Sequence, residues 1–201
     1  MAELDLVLAS HNPGKLAELR QMLAGVPIRL HSAAEFGVSA PDEPACTFVE
    51  NALIKARHVA RLTGRPALAD DSGLVVPALG GQPGVLSARF AGAEAGDADN
   101  NRKLLAMCEH MDGAQRVCRF ISVIVVLASA EDPAPLIAEG AWEGRLLRAP
   151  RGSGGFGYDP IFLDPDSGRS AAELAPEQKN RISHRGQALA RLVDRLPAKL
   201  R

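Results

Sequence analysis

The chain has 201 residues, 46% of them hydrophobic and 23% charged, with a formal net charge of -1. This length and composition are typical of one globular domain, or one domain of two lobes, with a sizeable core. The near-neutral charge argues against a protein that binds nucleic-acid polymers, because phosphate contacts need a basic excess. Any nucleotide partner should therefore be a free nucleotide held in a local pocket.

The sequence predicts a soluble, cytoplasmic protein with no membrane association. Met1–Asp5 has no basic region and no long apolar run, so we expect no signal peptide. The most apolar stretch, Ile121–Ala128, is too short to cross a bilayer. Cys46, Cys108 and Cys118 form no CxxC pair and no metal-ligand spacing, so reduced thiols are expected.

Strand and helix signals alternate in the first part of the chain. Leu4–Ala9 is an apolar run that predicts a buried strand, and a helical pattern begins at Lys15. Ile28–Leu30 predicts the next strand. Thr47–Glu50 matches a capping box, which predicts a helix that ends near Leu62.

The middle of the chain contains two adjacent carboxylates between apolar runs. Ala67–Ala69 and Leu74–Val76 predict strand pieces that flank an acidic turn. Asp97 or Asp99 can cap the helix that follows. Val117–Leu127 is enriched in β-branched residues and predicts a long strand.

Short strands are predicted in the last third of the chain. Leu136–Ala138 and Arg145–Leu147 predict two strands separated by a turn around Gly140 and Gly144. Pro160–Leu163 predicts another short strand.

The final helix has the clearest pattern. Ser183 is its predicted N-cap. Leu189, Leu192, Val193 and Leu196 lie at i, i+3, i+4, i+7 spacing, and Pro197 closes the helix. The alternation of elements predicts an α/β protein with one long mixed β-sheet flanked by helices.

The first candidate site is the turn formed by Ser10, His11, Asn12, Pro13, Gly14 and Lys15. A strand, a glycine turn and a helix start form an anion site, since free N–H groups and the helix dipole converge there. The turn is not a Walker A loop, because Leu16 stands where Ser or Thr would hold Mg²⁺. Lys15 opposes the helix dipole unless an anion is bound. An ordinary polar turn is the alternative.

Asp70 and Asp71 form the second candidate site. Adjacent carboxylates repel each other by a few kcal/mol at an effective dielectric of about 20, unless a cation neutralises them. Mg²⁺ is such a cation. Because neighbours on a strand face opposite ways, we expect Asp71 to face the reacting water and Asp70 to support the metal. An ordinary Asx turn is the alternative.

Glu50 and Lys55 have simpler explanations. Glu50 is accounted for by the capping box, and a solvated lysine is the default for Lys55. Either residue joins the site only if the start of its helix faces the acidic turn.

Gly152–Gly157 contains the pattern GxGxxG, but a strand-like run follows instead of a helix, which argues against a dinucleotide site. The glycines suit a close approach of backbone to a flat ligand, with Phe156 available to stack on a base. A plain glycine loop is the alternative. Lys179, His184 and Arg185 supply cations for a phosphate or for the oxo groups of a purine, or else form a surface cluster.

Six segments, in this order along the chain, resemble the inosine/xanthosine triphosphate pyrophosphatase family. They are Ser-His-Asn-Pro-Gly-Lys, Phe-Val-Glu-Asn-Ala-Leu-Ile-Lys-Ala, Ala-Asp-Asp-Ser-Gly-Leu, Leu-Gly-Gly-Gln-Pro-Gly-Val-Leu-Ser-Ala-Arg-Phe-Ala-Gly, Gly-Gly-Phe-Gly-Tyr-Asp-Pro-Ile-Phe and Glu-Gln-Lys-Asn-Arg-Ile-Ser-His-Arg. The resemblance implies an elongated α/β fold of two lobes with a central cleft, acting as a homodimer. It also implies Mg²⁺-dependent hydrolysis of ITP, dITP or XTP to the monophosphate and pyrophosphate.

The resemblance also implies roles for individual residues. It assigns the triphosphate to Ser10, His11, Asn12, Pro13, Gly14 and Lys15. It assigns the role of proton acceptor and metal-linked residue to Asp71, supported at the metal and phosphates by Asp70, Glu50 and Lys55. It assigns substrate contact to Ser72, and the nucleoside end to Phe156, Gly157, Tyr158, Asp159, Lys179, His184 and Arg185. Many members have Thr-Gly-Asn in place of Ser10-His11-Asn12, which leaves the role of His11 open.

Two other functions stay open on the sequence. One is a pyrophosphatase of similar fold that prefers pyrimidine triphosphates. The other is a non-catalytic nucleotide-sensing module, which has no evident need for two carboxylates beside lysines. A nucleic-acid-binding protein is disfavoured by the net charge of -1.

Overall fold

The computed structural model describes residues 4–200. The strands in this range are β1 (Leu4–Leu8), β2 (Ile28–Ser32), β3 (Ala67–Val75), β4 (Val117–Leu127), β5 (Leu136–Leu146), β6 (Phe162–Asp164) and β7 (Arg169–Ser170). The α-helices are α1 (Pro13–Met22), α2 (Phe48–Thr63), α3 (Asp97–Met107), α4 (Pro176–Ile182), α5 (His184–Ala190) and α6 (Leu196–Lys199). The expectation about a signal peptide falls mainly on Met1–Glu3, outside the described residues.

Within residues 4–200, seven strands form one sheet in the order β2-β1-β3-β4-β5-β6-β7. β1 pairs in parallel with β2 and with β3. β6 pairs antiparallel with both β5 and β7. The predicted α/β class, with a mixed sheet flanked by helices, is confirmed.

The described chain divides into two compact units. The first takes the chain as far as Asp71, then Ser122–Gly140 and the C-terminal part from Arg185, and the second comprises Ser72–Ile121 and Ala141–His184. Each unit has its own apolar core. The first core includes Leu6, Leu19, Leu68, Ile124, Leu189, Leu192 and Leu196. The second includes Leu74, Leu104, Phe120, Trp142, Tyr158 and Phe162. The arrangement as one domain with two lobes stays a prediction.

β3 differs from the prediction of two strand pieces around an acidic turn. It runs without interruption from Ala67 to Val75, and Asp70 and Asp71 lie inside it. Both carboxylates are buried, with exposed fractions of 0% and 6%. A strand can hold them there because both are paired with cations: Asp70 with Lys15 and Arg185, and Asp71 with Lys55.

β5 is one strand, and the predicted turn around Gly140 and Gly144 was wrong. Gly144 has a packing role instead. A Cβ atom at this position would lie 2.3 Å from Cζ of Phe162. The glycine therefore lets the aromatic ring approach the backbone of the strand closely.

Helix ends follow the capping rules, with small shifts. Thr47 caps α2 as predicted, and Gly64 ends it in the left-handed conformation at φ 63°. α1 begins at Pro13, two residues before the predicted start, because Asn12 acts as its cap. The cap of α3 is Gly96, where Asp97 or Asp99 was predicted.

The predicted final helix is broken. Ser183 has extended backbone between α4 and α5. Helix α4 was not predicted from the sequence. A 3-10 turn at Val193–Arg195 then separates α5 from α6, so Pro197 lies at the start of α6 rather than after a long helix. The leucines at helical spacing are nonetheless buried in the first core.

No helix in the described part of the chain is long and apolar enough to cross a membrane. The three cysteines are free thiols: Cys46 is exposed, and Cys108 and Cys118 are buried. Burial raises the pKa of both buried thiols, which keeps them protonated.

His31 on β2 lies between two carboxylates. Its Nε2 is 2.9 Å from Oδ1 of Asp5, and its Nδ1 is 3.2 Å from Oε2 of Glu35. Arg65 and Arg20 pair with these same carboxylates. The hydrogen bond to Asp5 raises the pKa of His31 above its usual value, with burial acting in the opposite direction.

We expect His31 to make stability depend on pH. A raised folded-state pKa stabilises the protein fully below the unfolded pKa of about 6.5, and this contribution is lost as the pH rises through the folded pKa. His31→Gln should therefore flatten the fall in the free energy of unfolding between about pH 6 and pH 9. Urea titrations at both pH values measure this, with exposed His110→Gln as the control. Equal pH dependence in wild type and His31→Gln would contradict the assignment.

Candidate functional site

Charged residues far apart in sequence come together in the first unit. They come from α1, from the segment before α2, from α2, from β3 and from α5. We call this set the carboxylate–cation cluster; its members are Lys15, Glu18, Glu43, Lys55, Asp70, Asp71 and Arg185.

The turn before α1 has the form of an anion site. Oδ1 of Asn12 accepts the backbone N–H of Lys15 at 3.1 Å, and Oγ of Ser10 accepts the N–H of Asn12 at 3.2 Å. Nε2 of His11 donates to the carbonyl of Val38 at 2.9 Å. These bonds fix the turn at the N-terminus of α1, where the helix dipole favours negative charge.

The carboxylate of Asp70 is enclosed by donors. Oγ of Ser122 donates to Oδ1 at 2.5 Å, while Nη2 of Arg185 and Nζ of Lys15 lie 2.9 and 3.0 Å from Oδ2. Burial acts to raise the pKa of Asp70, but Arg185 and Lys15 outweigh it and hold this pKa well below the usual range. Asp70 is therefore ionised, and it fixes the positions of both cations.

Arg185 is engaged with two carboxylates. Besides Asp70, its Nη1 donates to Oε2 of Glu18 on α1. The side chain of Arg185 is 2% exposed. Burial acts to lower the pKa of Arg185, but the two carboxylates raise it overall, so the guanidinium is charged. Its contact with a purine base, as the sequence analysis expects, stays a prediction.

Asp71 pairs with Lys55 through one carboxylate oxygen, and the other carboxylate oxygen of Asp71 has no hydrogen-bond partner within residues 4–200. Nζ of Lys55 lies 2.5 Å from Oδ1 of Asp71. Oδ2 is buried and makes no hydrogen bond with any residue in the range 4–200. Burial raises the pKa of Asp71, with Lys55 opposing this effect. A buried, unsatisfied carboxylate oxygen is costly, which indicates that this atom has an external partner.

The two lysines converge on one backbone atom. Nζ of Lys15 donates to the carbonyl oxygen of Asp70 at 3.1 Å, and Nζ of Lys55 donates to the same oxygen at 3.4 Å. Burial lowers the pKa of Lys15, and the nearby charge of Lys55 adds to this effect against the pull of Asp70. Two ammonium groups held this close favour an anion of more than one charge.

Glu43 was missed by the sequence analysis. Its Oε2 lies 3.4 Å from Nζ of Lys55, so Glu43 and Asp71 share this lysine. In the sequence, Glu43 lies in the run Pro41-Asp42-Glu43-Pro44, whose two prolines indicate only a break between regular elements. An acidic residue inside such a rigid segment was the signal that could have identified it.

Glu50 and Ser72, two further predicted site residues, are not members of the carboxylate–cation cluster. Glu50 is exposed at the start of α2, and its Oε2 accepts a hydrogen bond from Oγ1 of Thr47 at 2.5 Å. Ser72 follows Asp71 on β3 and is half-buried. Their predicted contacts with metal and substrate stay predictions.

The donor set suits a magnesium ion that is shared with phosphates. No group of three or more His, Cys, Asp or Glu side chains in the described chain could hold a metal alone. The free Oδ2 of Asp71 and the neighbouring Glu43 provide two carboxylates. Mg²⁺ commonly binds one or two protein carboxylates and completes its shell with water and phosphate oxygens, so these residues fit it.

A second cluster lies in the second unit, around Asp159. Oδ2 of Asp159 accepts the N–H of Phe156 at 2.9 Å and a hydrogen bond from Nζ of Lys179 at 2.5 Å. That Nζ also lies 5.0 Å from the centre of the Phe156 ring. Gly155 has φ 70°, and a Cβ there would lie 2.0 Å from Asp159 Oδ2. The glycine loop thus wraps around a buried carboxylate.

Gly157, Tyr158 and His184, which were predicted to bind the nucleoside, each contact another residue of the second unit. The hydroxyl of Tyr158 donates to the carbonyl of Ser87 at 2.8 Å, and burial raises the pKa of this hydroxyl. The N–H of Gly157 donates to Asp97 at 2.6 Å. The ring of His184 stacks on Phe120 with centroids 4.7 Å apart.

Fold and clusters together define an α/β protein equipped for nucleotide phosphates. A model of the Ham1 family matches residues 6–195, and the chain belongs to that family. It is 58% identical over 189 residues to a dITP/XTP pyrophosphatase of Xylella fastidiosa (strain Temecula1), covering 94% of this chain and 95% of the relative. It is 54% identical over 192 residues to a dITP/XTP pyrophosphatase of Pseudomonas aeruginosa, covering 96% of each chain.

A solved structure of a HAM1 protein from Coxiella burnetii is similar throughout. Its TM-score is 0.89 at 51% identity, covering 97% of this chain and 99% of the other. The resemblance inferred from the sequence segments is therefore confirmed.

We expect Asp70→Asn to be strongly destabilising. It removes the charge that compensates Arg185 and Lys15, and breaking a buried ion pair costs about 3–5 kcal/mol. Ser122→Ala leaves one donor fewer on Asp70 and should cost about 1–3 kcal/mol. Urea unfolding measures both against exposed Asp194→Asn, for which a change within about 0.5 kcal/mol is expected. Equal effects at positions 70 and 194 would contradict this account of the cluster.

Proposed function

We propose that this protein hydrolyses the non-standard purine nucleoside triphosphates ITP, dITP and XTP to the monophosphate and pyrophosphate, with Mg²⁺. The observation that carries the proposal is the buried, unsatisfied Oδ2 of Asp71 beside two converging lysines. The dITP/XTP pyrophosphatase names of full-length relatives support the substrate class. Removal of such nucleotides from the free pool would take place in the cytoplasm.

Charge balance supports the requirement for a metal. The carboxylate–cation cluster holds the carboxylates of Glu18, Glu43, Asp70 and Asp71 but only three cations, Lys15, Lys55 and Arg185. A triphosphate would add several more negative charges. A divalent cation held by Asp71 and Glu43 would restore the balance. Asp70 and Glu50, also predicted to support the metal, would act from outside this pair.

Mg²⁺ bound there would neutralise charge that gathers on the phosphates as the bond to the leaving pyrophosphate breaks. Lys15 and Lys55 bind the phosphate oxygens, and the turn Ser10–Lys15 lies at the start of α1, where the helix dipole favours negative charge. Together these groups hold the α-phosphorus in place for attack by water.

Asp71 is the proton acceptor in this proposal. The oxygen of water forms a bond to the α-phosphorus, the bond from that phosphorus to the bridging oxygen breaks, and the electron pair leaves with pyrophosphate. A proton of the water passes to Asp71. Without a bound metal, burial raises the pKa of this carboxyl, with Lys55 opposing the effect.

The nucleoside end is assigned to residues around Asp159, as the family resemblance implies. Phe156 is half-buried and available to stack on a base, and Lys179 and Asp159 supply a charged pair beside it. Donors facing the 6-oxo group of hypoxanthine or xanthine would leave the 6-amino group of adenine unpaired, which would discriminate against ATP. Gly157, Tyr158, His184 and Arg185 complete the predicted set, and a homodimer is part of the proposal.

The assay that tests the function is pyrophosphate release from ITP, XTP, ATP, GTP and dTTP, with Mg²⁺ and with EDTA. We expect fast release from ITP and XTP with Mg²⁺, little release from ATP, and none with EDTA. Preference for dTTP would instead support a pyrimidine-specific enzyme. Tight ITP binding without release would support a nucleotide sensor.

Asp71→Asn should abolish turnover while leaving nucleotide binding in EDTA unchanged. The amide keeps the size of the side chain but accepts a proton poorly, and loss of a general base costs about 10²–10⁴-fold in kcat. Lys55→Gln is the comparison, because it should raise KM through lost phosphate binding. Turnover of Asp71→Asn near the wild-type rate would show that another group accepts the proton.

A further inference from the structure

Glu43 lies on residues 38–45, a segment with no regular secondary structure that we call the strap. Pro41 and Pro44 limit its backbone freedom but remove two N–H donors. No strand or helix ladder fixes the strap, so side chains from elsewhere must determine where Glu43 lies.

Asn51 on α2 holds the strap next to Glu43. Its Oδ1 accepts the N–H of Ala45 at 3.1 Å, and its Nδ2 donates to the carbonyl of Ala45 at 3.2 Å. Asn51 is 0% exposed. Ala45 is two residues from Glu43, so this two-bond clamp restricts the backbone that carries the carboxylate.

Two histidines hold the other end of the strap. Nε2 of His11 donates to the carbonyl of Val38 at 2.9 Å, and Nε2 of His58 donates to that of Ser39 at 3.0 Å. His11 therefore ties the turn before α1 to the strap, a role that the sequence left open.

We propose that Asn51 is a positioning residue for the metal site, presenting Glu43 beside Asp71 before nucleotide arrives. This proposal rests on the proposed function. Ordering a free backbone costs conformational entropy, and with the clamp this cost is met during folding instead of during binding. Partners that orient metal ligands typically contribute about 10–100-fold in metal affinity.

The chain supplies a matched control for Asn51→Ala. Asn100 on α3 makes the same two-bond clamp, with Oδ1 accepting from Ala91 at 2.7 Å and Nδ2 donating to Ala88 at 3.1 Å. It is 2% exposed. Asn100→Ala should therefore lose as many hydrogen bonds from an equally buried amide, in the second unit.

The measurement is calorimetric binding of α,β-methylene-ITP to the full chain across a Mg²⁺ titration. Asn51→Ala should raise the Mg²⁺ concentration that gives half of the metal-linked gain in affinity by about tenfold or more. Binding in EDTA should stay within twofold of wild type, and Asn100→Ala should keep the wild-type Mg²⁺ requirement. Hydrogen exchange without metal or nucleotide should be faster across residues 38–45 in Asn51→Ala only.

A double-mutant cycle tests whether Asn51 acts through Glu43. Glu43→Gln removes the carboxylate, so adding Asn51→Ala to it should change the Mg²⁺ requirement by less than twofold. If Asn51→Ala does not melt cooperatively, His58→Ala releases the opposite end of the strap from a partly exposed position and should shift the Mg²⁺ requirement in the same direction.

An unchanged Mg²⁺ requirement in a folded strap variant would overturn the proposal, as would full additivity with Glu43→Gln. If wild type itself gains no affinity from Mg²⁺, the metal part of the proposed function fails first, and this inference fails with it.

Discussion

The buried carboxylate of Asp70 is the constraint on which the first unit depends. A charge in a protein interior is tolerated only when it is paired, and Asp70 is paired with Arg185, Lys15 and Ser122. Those partners come from α5, α1 and β4, so one ion joins three elements around β3. The bonds from Lys15 and Lys55 to the carbonyl oxygen of Asp70 also hold these two ammonium groups together.

Local patterns in the sequence predicted most of the elements. Thr47 and Gly64 delimit α2, and β-branched enrichment identified β4 with its observed ends. Caps and strand composition depend on neighbours in sequence, which explains this success. The prediction for β5 was wrong because Gly144 makes room for the ring of Phe162, about twenty residues away in sequence. A glycine that permits close packing and a glycine that permits a turn look alike in sequence.

The candidate site likewise contains residues that could be predicted from the sequence and residues that could not. Residue types and motifs brought forward Lys15, Lys55, Asp70 and Asp71, which the structure gathers in one cluster. The sequence analysis did not identify Glu43, Ser122 or the clamp of Asn51. Their roles depend on contacts that form only in the folded chain. The assignment of Arg185 to a base rested on its residue type and on the family resemblance, whereas its contacts here are with Asp70 and Glu18.

The continuity of β3 has a consequence for how this protein can change over evolution. Asp70 and Asp71 face opposite sides of one strand, so a carboxylate enclosed by donors and one with an oxygen unpaired within residues 4–200 are separated by a single step of the pleat. A one-residue slip or deletion within β3 would exchange the two environments and place each carboxylate among the wrong partners. Changes of length in β3 should therefore disrupt the protein more than changes of length in the loops.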